Sequence, residues 1–378
     1  MIKKDIKFDL DDLLIVPKES SNISSRKEVN LYCKNGMLPL FTAPMDTVIN
    51  IDNIDIFKKN KIIPIIPRTY TPSFYTGGGI YIYDHKYGKE IEIGENWCAI
   101  GLTDFEKLAE PLNNTHFDIN SINTLHILVD IANGNMEKLF NLVKKAKDKY
   151  GDKLQLMVGN VANPRTYEIL SNIGADYVRV GVGNGGGCLT SLNVGIGYPL
   201  ASLIDECRNI SYTLNTPAKI VADGGMKNYS DIIKALALGA DMVMVGSLLN
   251  RSLESAGETF KANVKHTGVE NWTEPGELVN QFDKDVKNAF KNGASFYKKF
   301  RGMSTKIVQK SLGNKVLKTS EGVTRMNPVK YTLDGWVENF SHYLASAMSY
   351  TGARNLEEFI GEVDLVRITQ FSFNRFNK

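Results

Sequence analysis

The chain has 378 residues, of which 43% are hydrophobic and 23% charged, an ordinary globular composition with enough apolar material for a core and no signature of disorder. Its 45 basic and 42 acidic side chains are interspersed, which excludes the concentrated basic stripe that nucleic-acid binding requires. No apolar run reaches the length of a membrane span, and the start MIKKDIKFDLDD has no apolar signal core, so the expectation is a cytoplasmic protein that engages neither nucleic acid nor membrane.

Eight short apolar runs rich in β-branched residues follow one another along the chain: LPLFTAP (38–44), KIIPIIP (61–67), WCAIGL (97–102), LHILVDI (125–131), KLQLMVGN (153–160), DYVRVGV (176–182), AKIVADGG (218–225) and DMVMVGS (241–247). Amphipathic stretches such as NMEKLFNLVKKAKDKYG, PRTYEILSNIG and YSDIIKALALG lie between them, and the last two close on a glycine, as helices commonly do. Eight strands alternating with helices predict a (β/α)8 barrel formed as one domain by residues 1–378. The alternative is a doubly wound open sheet, which more often has five or six strands.

A barrel gathers its chemistry at the C-terminal ends of the strands and holds phosphate after strands seven and eight. Strand seven ends in Asp223-Gly224-Gly225 and strand eight in Gly246-Ser247, turns whose bare amides suit an anion if they open helices, and which otherwise only permit tight turns. Strand six runs into GVGNGGGCLTSLNVGIGYP (181–199), where seven glycines surround one cysteine. Cys33, Cys98, Cys188 and Cys207 are widely spaced with no CxxC pair, which argues against a disulfide framework or a zinc site. A lone cysteine is more often a small buried hydrophobe than a nucleophile. At Cys188 few large side chains are available to bury it, and neighbouring amides can stabilise a thiolate. Thr190 could relay a proton, or serve only as a turn residue.

The stretches FDLDDLLIVPKESSNISSRKEVNL, APMDTV, GGGCLT, GIGYP, ADGGMKNYSDIIKALALGADMVMVGSLL, FRGMS, SEG and GARNLEEF, in order over residues 8–369, resemble the IMP dehydrogenase/GMP reductase family. That resemblance implies a (β/α)8 barrel, a homotetramer, a purine nucleotide substrate and attack by the loop cysteine on carbon 2 of the purine. The reductase branch is the better match. Only 17 residues separate Met303 from Glu321, too few for the long flap of the dehydrogenase and with no Arg-Tyr pair among them; Asp130 to Gly134 reads as the reductase pattern DxANG, and the paired regulatory CBS modules of most dehydrogenases are missing. The implied reaction is reduction of GMP, or a closely related guanine nucleotide, by NADPH to IMP and ammonia through a covalent thioimidate. Cys188, Thr190 and Glu321 would be catalytic, although Glu321 read alone is a loop carboxylate. Asp223, Gly224, Gly225, Gly246, Ser247, Met303, Ser304 and Gly322 would bind the nucleotide. Arg68, Asp130, Asn133 and Gly134 would face the cofactor, and the backbone of Gly183, Gly185 and Cys188 could hold a monovalent cation, K+.

The chain also departs from the family pattern. Gly186 replaces a phosphate-binding serine, Phe300 stands where the dehydrogenase has a phosphate-contacting tyrosine, Lys318 replaces an arginine near the base, and residues 259–299 form a longer segment in which VNQFDKDVKNAFKNG reads as helical. Two other readings are a dehydrogenase with a shortened flap, converting IMP and NAD to XMP, and a nucleotide sensor without catalysis.

Overall fold

A computed structural model describes residues 5–74, 80–84, 89–92, 96–110, 124–262, 276–311 and 322–376. All eight apolar runs form strands: β1 Leu40–Thr42, β2 Ile65–Ile66, β3 Trp97–Ile100, β4 Leu125–Asp130, β5 Leu154–Val161, β6 Tyr177–Val180, β7 Lys219–Asp223 and β8 Met242–Val245. They pair in parallel in the order β2-β3-β4-β5-β6-β7-β8-β1. Between β1 and β2 the ring closes by one parallel bridge, Phe41 to Ile63, where Thr42 N donates to Ile63 O and Ile63 N to Leu40 O, each at 3.0 Å. The sheet is therefore a (β/α)8 barrel and not an open doubly wound sheet.

Alternation along each strand sorts the side chains into two layers. Val178 and Val180 of β6 face outward into the cluster shared with the helices, while Tyr177 faces inward among Phe41, Trp97, Leu128 and Val221. The Phe41, Trp97 and Tyr177 rings meet edge to face at 5.3 to 6.0 Å between centroids, filling the barrel floor. Two residues further along their strands, on the same inward face, stand Asp130 above Leu128, Arg179 above Tyr177 and Asp223 above Val221. The polar top layer of the barrel is thus fixed by the register of its apolar floor.

The outer ring includes helices Glu137–Tyr150, Pro164–Asn172, Leu200–Ser211 and Tyr229–Ala237. Two start on side-chain caps, Asn163 accepting from Arg165 N and Asn228 from Asp231 N. The strand–helix alternation fails twice. A three-stranded antiparallel sheet of Thr71–Phe74, Ile80–Asp84 and Lys89–Glu92 follows β2 in place of a helix. After β8 the expected helix is a single turn, Ser247–Asn250, too short to sum a useful dipole. The chain then builds a four-stranded antiparallel sheet from β9 Thr259–Lys261, β10 Glu277–Val279, β11 Phe296–Arg301 and β12 Thr324–Pro328, in the order β10-β9-β11-β12. The helix read within 259–299 is Lys284–Lys291. The long helix Leu333–Thr351 follows, and the strand Leu365–Arg367 near the C-terminus pairs antiparallel with Leu13–Ile15.

Candidate active site

The top layer of the barrel is an electrostatic network. Arg179 Nη2 donates to Asp130 at 2.6 Å and also contacts Asn160, its Nε lies 3.7 Å from Asp223, and Asn160 Nδ2 donates to Asp223 and to Gly181 O, both at 2.7 Å. Arg68, at the end of β2, closes the row with its Nε 3.2 Å from the other oxygen of Asp130. One register position makes this possible. Gly159 of β5 pairs with Asp130 on one side and Arg179 on the other, and a Cβ there would stand 2.5 Å from Arg179 O. Without a side chain between them, carboxylate and guanidinium meet directly. Burial pushes the Asp223 carboxyl above the ordinary carboxylate range, opposed by Arg179 and the Asn160 amide and reinforced by Asp130.

A cavity of about 220 Å³ opens above this network, and most of the residues singled out from the sequence line it: Arg68, Asp130, Gly183, Gly185, Cys188, Thr190, Asp223, Gly224, Gly225, Gly246, Ser247, Met303 and Ser304. Cys188 Sγ lies 3.2 Å from Thr190 Oγ1. The loop that carries them is held by backbone. Gly302 N donates to Val323 O at 2.9 Å, Val323 N donates to Gly187 O at 3.2 Å, and Cys188 bridges Gly322. On the other side the loop touches the turn after β7. Gly224 has φ +86°, and a Cβ on it would come within 2.8 Å of Gly185 N, so only glycine serves there. An Arg301 to Asp46 ion pair ties the 301–304 turn to the APMD stretch.

Three expected site residues stand apart from the cavity wall. Gly322 acts through its bridge to Cys188. Asn133 is exposed and accepts from Asn135 N, while Gly134 is buried where a Cβ would strike Val161 and the Asn160 carbonyl, a packing demand of the loop after β4 against the end of β5. Glu321 and Lys318 lie outside the described residues. Of the carbonyls considered for K+, Gly183 O accepts from Ser191 Oγ and Gly185 O from Cys188 N, each keeping a second lone pair. Among the described residues no cluster of His, Cys, Asp or Glu could hold a metal, and no helix is long and apolar enough to cross a membrane.

Two residues central to the network, Arg179 and Asn160, were not singled out from the sequence. The signal was present in DYVRVGV, where an arginine two places after Tyr177 shares its face in an otherwise apolar strand. Burial pushes the Cys98 thiol up to about 12 and also raises those of Cys207 and Cys33.

A closed (β/α)8 barrel with a cysteine–threonine pair on a glycine loop, above carboxylates fixed by a buried arginine, is the framework of an enzyme that works on a ligand held at the strand ends. The sequence profile described as "IMP dehydrogenase / GMP reductase domain" matches residues 96–270. The GMP reductase of Buchnera aphidicola (Acyrthosiphon pisum strain Tuc7) is 28% identical, with 100% of this chain and 99% of that protein aligned. The GMP reductase of Caenorhabditis elegans is 27% identical over 98% and 94%, and human GMP reductase 2 is 28% identical over 98% and 96%. Residues 96–270 thus match the IMP dehydrogenase/GMP reductase domain, similarity to proteins named GMP reductase runs along nearly the whole chain, and the protein is an oxidoreductase.

Proposed function

We propose that the protein reduces GMP, or a closely related guanine nucleotide, to IMP and ammonia with NADPH. The observation that carries this reading is similarity along nearly the full length to proteins named GMP reductase. The cavity supports it by joining a cysteine–threonine pair to a carboxylate at the end of β7.

In the proposed mechanism the Cys188 thiolate adds to carbon 2 of the purine. The bond from carbon 2 to the amino group breaks, and ammonia leaves with a proton delivered through Thr190 and Glu321, the residue before Gly322. This divides one hard displacement into two easier steps. NADPH, when bound, supplies a hydride to carbon 2. The carbon–sulfur bond then breaks, freeing IMP and restoring the thiolate. In sum, GMP, NADPH and two protons give IMP, NADP+ and an ammonium ion.

Asp223 accepts hydrogen bonds from the ribose hydroxyls in this reading, and Gly224, Gly225, Gly246 and Ser247 cradle the phosphate. Met303 and Ser304 lie against the base. The cofactor fits toward Arg68 and Asp130. Arg68 Nε is a buried donor whose one close partner is the Asp130 oxygen, out of line for a hydrogen bond, so the guanidinium retains donors for a polar cofactor group. Asn133 and Gly134, expected on the cofactor side, would act from outside the cavity wall, Gly134 by letting the loop after β4 pack against β5. A monovalent cation on the carbonyls of Gly183, Gly185 and Cys188, and assembly as a homotetramer, complete the proposal; no step passes through the cation.

The test is absorbance of the reduced cofactor in two mixtures. GMP with NADPH should lose absorbance and release ammonia, whereas IMP with NAD should gain none. The reverse result makes the protein a dehydrogenase, and silence in both mixtures leaves a nucleotide sensor or an enzyme of another substrate.

A further inference from the structure

We infer that Arg325 is the principal phosphate-recognition residue of this chain, its guanidinium taking the place of hydroxyl donors that the loop and the neighbouring sheet do not supply. The inference rests on the nucleotide reading only in taking the phosphate to be that of a nucleotide. Gly186 and Phe300 both line the cavity, beside Gly225, Gly246 and Ser247, and neither carries a hydroxyl. Arg325 of β12 pairs across the sheet with Phe300 of β11. Its guanidinium lies over the Phe300 ring, 5.0 Å from the centroid, and Nη2 stands 3.2 Å from where a Cβ on residue 186 would be. The cation thus fills the space beside Gly186, itself a residue that lines the cavity.

Charge balance makes this position unusual for a purely structural arginine. Among the described residues Arg325 has no carboxylate partner, and its Nε is buried without a hydrogen-bond acceptor. Instead of an anion, its charged neighbour is Arg251, and both that repulsion and the larger effect of burial disfavour its cationic form. A guanidinium with no carboxylate partner among the described residues, beside the Gly186 backbone and under the repulsion of Arg251, is complementary to an anion. The Phe300 ring holds the planar group from below and leaves its edge to donate. A guanidinium fork suits phosphate geometry, and a site built on charge in place of hydroxyls should be more sensitive to salt.

The experiment uses inorganic phosphate, GMP and guanosine as probes in calorimetric titrations of the wild type, Arg325→Gln and Arg325→Lys, with circular dichroism as the check on folding. Arg325→Gln should bind GMP about 10- to 100-fold more weakly and lose inorganic phosphate binding, with guanosine affinity unchanged. Arg325→Lys keeps the charge and the stem but not the fork, so it should fall between and decide the matter if the glutamine variant does not fold. Equal phosphate affinity in wild type and variants overturns the inference, as does a wild type that binds no phosphate, or an equal loss for GMP and guanosine. If GMP turns over in Arg325→Gln at an unchanged KM, the purine reading stands and this one fails. If purine turnover is absent while phosphate binding still requires Arg325, the reverse holds.

Discussion

At the scale of single residues, the proposed chemistry depends on how differently the thiols are housed and on the carboxylate of Asp223. Cys98 and Cys207 are buried with their thiols pushed up, whereas Cys188 sits half-buried on the cavity wall against Thr190. We expect Cys188→Ala to reduce GMP turnover by at least about 10,000-fold while nucleotide binding persists, because the ligand is held by other elements. Retained turnover in a steady-state assay would remove the covalent step. Asp223 gives a pH test. Its folded-state pKa is raised, so its carboxylate takes up a proton at a pH above the ordinary carboxylate value of 3.8, and acceptors for ribose hydroxyls are lost as pH falls through that raised value. Guanosine affinity, free of the phosphate's own titration, should fall over that window in the wild type and be flat in Asp223→Asn, whose affinity at neutral pH should be lower by about 1 to 3 kcal/mol. A wild-type profile that stays level down to pH 4 would separate Asp223 from ribose binding. Asp223, Cys188 and Thr190 were legible because each ends a strand or sits in a loop whose composition serves no packing purpose. Arg179 was not singled out, because an arginine inside an apolar strand reads as an isolated exception until the barrel closes and supplies Asp130 and Asp223 from strands β4 and β7.

At the scale of elements, all eight barrel strands could be read as apolar runs because both faces of a parallel barrel strand are covered. The sheet of β9 to β12 was not legible. FYKKFR alternates, burying Phe296, Lys298 and Phe300 on one face, but a lysine at the buried position hides the period of two. Lys298 is fully buried, donates to Ser255 O at 2.5 Å and to Gly257 O at 3.3 Å, and is held well below its usual pKa by desolvation, with Glu254 pulling the other way. As pH falls through 10.5 the unfolded chain gains this proton and the folded chain resists it until a lower pH, so this group makes stability rise with pH across that window. Lys298→Met should flatten that slope in denaturant titrations between neutral and alkaline pH, at a cost of about 1 to 3 kcal/mol for the carbonyls left unpaired. An unaltered slope would mean that Lys298 stays charged in the folded protein. The same sheet supports the Cys188 loop through Gly302, where a Cβ would approach Gly187 O to 2.4 Å. Gly302→Ala should therefore spread the clamp on Cys188 and lower kcat about 100-fold with the thermal transition little changed, since a displacement of about 1 Å at a reacting group is enough for that loss. A variant with normal kcat would show that the clamp is not needed to position the thiol.

At the scale of the whole molecule, the fold brings segments near the two ends of the chain together in the pairing of Leu13–Ile15 with Leu365–Arg367, whereas part of the Cys188 loop stays uncovered. In the segment after Cys188, Leu192 is 79% exposed, Ile196 57% and Val194 50%, three large apolar side chains within five residues. A cluster of this kind on a folded chain marks a surface that another surface covers. The homotetramer proposed from the family resemblance supplies one, with each neighbour packing on the 190–196 segment and steadying the loop beside it. We expect light scattering to give a particle of four chains for the wild type. Leu192→Asp should shift that distribution toward smaller species, because burying an unpaired carboxylate in an apolar contact is costly. Turnover per chain should fall with the tetramer fraction as the protein is diluted, and the far-ultraviolet circular dichroism should stay that of the wild type, since Leu192 takes no part in the barrel core. A wild type that runs as a monomer at full activity would remove the tetramer. A Leu192→Asp tetramer of normal activity would move the interface to another face and leave the exposed segment to be covered by something other than a second copy of the chain.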